Sequence, residues 1–344
     1  MTTQYSNNSE KFSQLPVSIL EPSGQILTKE PNLLALVAIL VSVGTCAFAP
    51  ILIRSCQNEL GPDATIFNRY WIATTILLLW NGLGTVHRFW IKSQNLSNQL
   101  DEQTSSPVSY TSQTVSLLLL SALFLAATTV LWSWSLTQTS VANSALIHNF
   151  SIFFTTTVGW LFFKQRFHKN FLLGAAIAVA GMILLGLSDL QFEPDKIQGD
   201  LVSLVSSVAF GGFLMSVERV RSQVSATTTI FWCYGLGILL TIPLALINHE
   251  QLFPLSWQGW YTAVFLGLNT VIVHFLQIYS LQQLSASFVA LVFLLDPILT
   301  AIFAWCIFGE TLDWTNLLAF AVILVGLYLA ISSPLVPLNF ESDK

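Results

Sequence analysis

Polar and apolar positions alternate along this chain on a long scale. Ten continuous apolar runs of roughly 18–23 residues are separated by shorter polar connections, at 33–53, 65–85, 115–136, 141–163, 170–188, 200–218, 227–247, 258–280, 286–308 and 315–333. A helix rising about 1.5 Å per residue needs about 20 such residues to cross a hydrocarbon core of about 30 Å. The runs do not alternate polar and apolar side chains over about ten residues, as membrane strands do. The pattern therefore predicts an all-α integral membrane protein with ten transmembrane helices, here called spans 1 to 10.

The pattern also repeats. Without a gap, residues 131–184 laid on 276–329 match at fifteen of 54 positions, among them Ser135/Ser280, Gln138/Gln283, Trp160/Trp305, Phe163/Phe308 and Gly181/Gly326. A second echo pairs Ala47-Phe48 with Ala209-Phe210 and Thr65-Ile66-Phe67 with Thr229-Ile230-Phe231. Two copies of one unit are expected, 33–188 and 200–333, joined by an external connection at 189–199. Five spans per copy is an odd number, so the second copy enters the membrane upside down. Two inverted five-helix repeats are the architecture of many secondary transporters.

Composition supports this class. Only 9% of the 344 residues are charged and 53% are hydrophobic, against about 25% charged in a soluble domain. Lys11, Lys29, Arg88, Lys92, Lys164, Arg166, Lys169, Arg219, Arg221 and Lys344 fall on one side of the predicted spans, and Arg54 and Lys196 on the other. The positive-inside rule then places both termini in the cytoplasm, in a cell (inner or plasma) membrane. Residues 1–32 and 334–344 read as cytoplasmic tails. The first is polar, is expected to be disordered, and lacks the pattern of a cleaved signal peptide. The polar stretch near 86–114 reads as a mobile connection. Cys46, Cys56, Cys233 and Cys306 have neither metal nor redox spacing.

The run from Leu291 to Glu310, with Asp296-Pro297 inside the span and Gly309-Glu310 at its end, resembles the ninth-helix signature of the EamA family of the drug/metabolite transporter superfamily. Gly326 in span 10, and Arg69 within Phe67-Asn-Arg-Tyr-Trp71, fit the same resemblance. It covers about 33–333, and implies a ten-helix fold of two inverted repeats that moves small metabolites. The first repeat departs from it, with Ser151-Ile152 for the acid–proline pair and Lys164-Gln165 for Gly-Glu.

Polar side chains are costly in hydrocarbon and are expected to face the bundle interior. Ser144, His148, Ser151 and Thr155 form one stripe on span 4, and Thr128, Trp132, Ser135 and Thr139 another on span 3. The repeat offset carries Trp132 onto Gln277 and Ser151 onto Asp296. The expected solute cavity is thus lined by spans 3, 4, 8 and 9, with the Phe48–Pro50 and Phe210–Gly212 regions. Its candidate residues are Trp132, His148, Asn149, Ser151, His274, Gln277 and Asp296. For each a plainer role stands alongside: a histidine or amide bonded to another helix, or Asp296 as an N-cap with Pro297 in the first turn. Pro50, Gly211, Gly212 and Pro297 are expected to break helices. Arg69 reads as snorkelling outward or pairing with Glu59 or Asp63, and with Glu310 as a gate or structural ion pair.

The spacing offers no nucleophile, carboxylate pair, metal set or ATP-binding loop, so no enzyme, metal or cofactor is expected. The basic cluster at 164–169 reads as a headgroup anchor rather than a nucleic-acid site. The expected partners are a small-molecule solute and the lipid bilayer. A homodimer is allowed but not demanded. The reading is a secondary-active permease or exporter working by alternating access, with Asp296 suited to proton coupling. The competing reading is a receptor or scaffold that kept a carrier fold and lost transport.

Overall fold

The computed structural model describes residues 33–94, 111–139, 141–165, 167–189, 197–221, 223–308 and 313–332. Both predicted tails, Glu310, and most of the 86–114 and 189–199 connections lie outside the described residues. The helices are α1 Leu33–Cys46, α2 Ala49–Cys56, α3 Pro62–Gln94, α4 Ser112–Gln138, α5 Val141–His148, α6 Ser151–Phe163 and α7 Lys169–Asp189. They continue with α8 Ile197–Val220, α9 Ala226–Ile247, α10 Trp257–Leu281, α11 Ala286–Val292, α12 Asp296–Phe308 and α13 Trp314–Ile331.

Among the described residues all regular structure is helical. Eight units are long and apolar enough to cross a membrane: Leu33–Cys56, Ser112–Gln138, Ser144–Phe163, Ile197–Val220, Ala226–Ile247, Trp257–Leu281, Ala286–Phe303 and Trp314–Ile331. The helices α3 and α7 occupy the positions of spans 2 and 5, and the apolar stretch of α7, Lys169–Leu185, is shorter. Large side chains stay bare on the outer faces, including Leu34, Leu40, Trp80, Trp160, Leu239 and Tyr328. Acyl chains would cover such a surface.

Three spans are interrupted, each for a local reason. Span 1 turns at Ala47–Phe48, and Pro50 sits in the first turn of α2, where a helix has no partner for the N–H that proline lacks. Span 4 turns at Asn149–Phe150 between α5 and α6. Span 9 passes through a 3-10 turn, Phe293–Leu295, immediately before Asp296-Pro297. Pro297 cannot donate to the Phe293 carbonyl four residues back, and the Asp296 N–H takes that carbonyl instead.

The expected break at Gly211 and Gly212 is not there: α8 runs through both. Glycine keeps its N–H, so the ladder continues. What it lacks is a Cβ, and one built on Gly211 would meet Phe154 Cδ1 at 2.6 Å, one on Gly212 the Phe124 ring at 2.8 Å. These glycines let α8 approach α6 and α4.

The helix α4 packs on α8 and α9, α10 on α1 and α3, α3 on α9, and α7 on α13. The α7–α13 crossing is backbone-close. A Cβ on Gly181 would stand 2.8 Å from the Ile323 nitrogen, and one on Gly326 would stand 2.6 Å from the Gly174 carbonyl and meet Ala178. Small residues give such van der Waals packing where no hydrophobic drive exists between helices. Shifting by 145 residues carries Gly181 onto Gly326 and Ala178 onto Ile323, so the two contacts exchange.

Side-chain hydrogen bonds tie the other seams. Between α8 and spans 3 and 4, Thr139 Oγ1 donates to Asp200 (2.7 Å), Ser203 Oγ to the Ser144 carbonyl (2.8 Å) and Ser206 Oγ to the Thr128 carbonyl (2.8 Å). Between α1 and α10, Ser42 Oγ donates to the Val273 carbonyl (2.9 Å) and Ser280 Oγ to the Ala35 carbonyl (3.0 Å). Each such bond in a membrane bundle contributes about 0.6 kcal/mol on average.

At one end of the bundle two loops cap each other's helices. Glu250, which precedes α10, accepts from the Ala64 N–H at 2.7 Å in the first turn of α3. Glu59, which precedes α3, accepts from Ser256 N–H (3.2 Å) and from Ser256 Oγ, at the start of α10. A carboxylate at a helix N-terminus is favoured by the dipole and by the orphan amides. The Ser256 hydrogen bonds hold the Glu59 carboxyl below its usual range, whereas burial raises that of Glu250. At the opposite end, Arg221 Nη1 donates to the Leu281 (2.9 Å) and Leu284 (3.0 Å) carbonyls that close α10, and Glu218 accepts from Ala286 N (3.1 Å) at the start of α11.

Candidate functional site

The ends of the broken spans meet at one cavity. Its wall is made by Cys46 at the end of α1, Arg69 of α3, Thr128, Thr129 and Trp132 of α4, His148 and Asn149 at the α5 end, and Phe210 of α8. Val273, His274 and Gln277 of α10, with Phe293 and Asp296 at the span 9 break, complete it. The space open to water centres is about 40 Å³, and a single water needs about 10–15 Å³ by that measure. By that measure the cavity has room for a few waters.

The two span breaks face each other across it. Asn149 Nδ2 donates to the Ala145 carbonyl at 2.8 Å, which ties the end of α5. The Asp296 carboxyl group interacts with the Asn149 amide and the Cys46 thiol. Asp296 has helical torsions (φ −55°, ψ −49°) and its Oδ1 is without a hydrogen-bond partner among the described residues. It therefore opens α12 as a helical residue and does not act as the N-cap that its place before proline suggests.

An aromatic column forms one wall. Trp132 stacks on His148 with ring centroids 5.0 Å apart, His148 meets Phe210 at 5.0 Å, and Phe210 meets Phe293 edge-on at 5.6 Å. Both histidines are held through Nδ1: His148 with Ser206 Oγ at 3.1 Å and His274 with Tyr234 Oη at 3.0 Å.

Of the seven predicted residues, Trp132, His148, Asn149, His274, Gln277 and Asp296 line this cavity. Ser151 does not. It is the first residue of α6, fully buried, and its hydroxyl has no partner among the described residues. The Phe48–Pro50 region does not line the wall either, since Phe48 stacks on Phe303 at 4.1 Å and span 1 contributes Cys46 instead. Other stripe residues knit helices together, as where Ser135 meets Ser144 at 2.6 Å and Thr128 Oγ1 donates to the Ser206 carbonyl at 2.9 Å, while Thr155 bonds the Ile152 carbonyl of its own helix.

Arg69 is placed differently from its expected role. It is only 3% exposed and points inward, where Nε donates to Thr270 Oγ1 at 2.6 Å. It pairs with neither proposed acid, because Asp63 accepts from Asn248 (2.7 Å) and Glu59 from Ser256. The signal was present in the sequence: a cation within a predicted span is a functional-site hypothesis by default.

Several polar atoms of the lining have no partner among the described residues: Arg69 Nη1, Trp132 Nε1, Gln277 Nε2 and Oε1, and Asp296 Oδ1. Leaving one buried polar atom unsatisfied costs about 1–3 kcal/mol. A cavity that gathers five is shaped for a polar occupant.

Stacked apolar helices enclosing such a cavity define an integral multi-pass membrane protein. The chain matches the EamA-like transporter family twice, over residues 33–187 and 197–332, and belongs to that family. An Archaeoglobus fulgidus protein named as an uncharacterized transporter is 24% identical over 311 residues, 88% of this chain and 98% of its own. A Bacillus subtilis protein, uncharacterized transporter YxxF, is 23% identical over 57% of this chain and 63% of its own. A solved crystal structure superposes with a TM-score of 0.66 at 15% identity, covering 87% of this chain and 95% of that one, which speaks to the fold alone.

Proposed function

We propose that the protein is a secondary-active carrier that moves a small metabolite across the membrane by alternating access. The observation that carries this reading is the cavity at the junction of three broken spans, lined by polar atoms without partners among the described residues. Interrupted helices at a repeat interface are where carriers hold solutes. The ten helices act as two inverted repeats. The double family match and the exchanged contacts at the α7–α13 crossing support that arrangement. In this reading the protein sits in a cell membrane with both termini in the cytoplasm, which the distribution of basic residues supports.

In this reading Trp132, His148, Asn149, His274, Gln277 and Asp296 contact the solute, and Asp296 carries the coupled proton. Opening one face requires the Glu59/Glu250 caps to part, and opening the other requires the Arg221 and Glu218 contacts to part. The test is flux into proteoliposomes holding the purified protein, across a metabolite panel, with and without a pH gradient. Wild-type flux that rises with the gradient, and Asp296→Asn flux that does not, is the expected result. Asp296→Asn flux equal to wild type under the same gradient removes the proton role. No flux for any compound favours the receptor or scaffold reading.

A further inference from the structure

The cavity contains one charge that a proton cannot cancel. A carboxyl group in a buried site can become neutral by taking up a proton, and histidine can lose one, but a guanidinium stays cationic. Arg69 is buried, its Nε is committed to Thr270, and its Nη1 is without a hydrogen-bond partner among the described residues. An unpaired buried cation is among the costliest arrangements a fold can hold. Of the four further orphans on the lining, Trp132 Nε1 and Gln277 Nε2 are donors and Gln277 Oε1 and Asp296 Oδ1 are acceptors; the indole and guanidinium nitrogens can only donate, whereas a carboxyl can take up a proton.

The position of Arg69 is set by Thr270. The Thr270 hydroxyl donates to the Leu266 carbonyl at 2.7 Å, so its lone pairs are left for Arg69 Nε at 2.6 Å. The Thr270 carbonyl in turn accepts from Tyr234 Oη at 3.1 Å, and Tyr234 is fully buried against Tyr70. The guanidinium is thus held at Nε, while Arg69 lines the cavity with Nη1 unpartnered among the described residues. A planar fork presented in this way matches an oxyacid anion, which can accept two parallel hydrogen bonds.

We infer that the cavity is a site for a solute bearing an anionic oxyacid group, bound by Arg69 with Trp132 and Gln277, and that Thr270 is the positioning residue for Arg69. This rests on the solute-carrier reading and narrows it. The aromatic column of Trp132, His148, Phe210 and Phe293 receives the remainder of the solute, which enters when the cavity widens.

The test is thermal unfolding of the purified, detergent-solubilised protein with three matched probes at equal ionic strength: phenylacetate, phenylacetamide and 2-phenylethylamine. Phenylacetate is expected to raise Tm at millimolar concentration, and the neutral and cationic probes are not. Arg69→Gln abolishes the shift, and Arg69→Lys, which keeps the charge without the fork, weakens it. Thr270→Val weakens apparent affinity about tenfold, the scale of one charge-assisted hydrogen bond, while Thr270→Ser restores it. A shift as large with the amide or the amine overturns the inference. So does an unchanged phenylacetate shift in Arg69→Gln, or no shift in wild type. Because binding is read in detergent, a protein that binds phenylacetate yet moves nothing across vesicles would sink the carrier reading and leave the anion site standing.

Discussion

Spans 4 and 9 are interrupted at matching places by different means. The turn at Asn149–Phe150, shifted by 145 residues, falls on Leu294–Leu295 within the 3-10 turn of span 9. In span 9 a proline removes an N–H and an acid follows the turn. In span 4 there is no proline; the chain turns through three-residue bonds from Phe150 N–H to the Ile147 carbonyl (3.1 Å) and from Phe153 N–H to the Phe150 carbonyl (3.0 Å), beside the Asn149 side-chain bond to the Ala145 carbonyl. Proline writes its break into the covalent chain, whereas span 4 turns with every backbone N–H still present. The lesson is that two spans matched by the sequence echo can turn at corresponding places while only one carries the residues that signal it. Asn149 and Asp296 also line the same cavity.

The largest expected effect comes from removing the side-chain device. Asn149→Leu loses the Ala145 bond and leaves Asp296 without its amide neighbour, and should cost about 3 kcal/mol from one lost bond and one stranded buried group. Thermal unfolding in detergent reads it, and a loss below the error of that measurement would break the comparison. Next, Gly181→Ala and Gly326→Ala should each cost about 2 kcal/mol, since each Cβ meets backbone of the facing helix and overpacking costs 1–3 kcal/mol. Near-equal losses sharpen the likeness of the halves, and a large inequality counts against it.

Pro297→Ala should do less to stability, within about 1 kcal/mol, since the N–H it restores can rejoin the ladder. It should nevertheless slow solute flux, because α11 and α12 gain the means to become one helix. Unchanged flux would show that proline is dispensable in span 9 as it is absent from span 4.

The smallest effects are at the paired caps. Glu59 is held below its ordinary value of 4.5 by Ser256, so its contribution is present above that value and fades as pH falls through its folded pKa. Glu250 is raised above 4.5 by burial, so its contribution is full below that value and is lost as pH rises through its folded pKa. Unfolding midpoints across mildly acid pH should therefore respond in opposite senses to Glu59→Gln and Glu250→Gln. Responses of the same sense would show that the loops do not act as separate caps.

Much of the fold was legible because a bilayer imposes length and polarity on every helix that crosses it. Pro50 and Pro297 announced two of the three interruptions. The third carries no proline or glycine at its turn, Asn149–Phe150, and so no residue that marks it in the sequence. Gly211 and Gly212 misled for a related reason. A glycine pair can bend a helix or admit a neighbour, and the rings of Phe124 and Phe154 are what select the second.

The sequence by itself determined the helical class, the approximate spans, the internal repeat and a short set of polar residues that had to avoid lipid. Those properties depend on the period of a helix and the thickness of hydrocarbon, both of which act locally along the chain. Only the tertiary structure decided which polar residues share the cavity and which fasten helices to one another. A stripe fixes the face on which a side chain stands, but not the helix it meets. Thus Ser151 left the site and Arg69 entered it, bonded to Thr270, a residue 201 positions away in the chain.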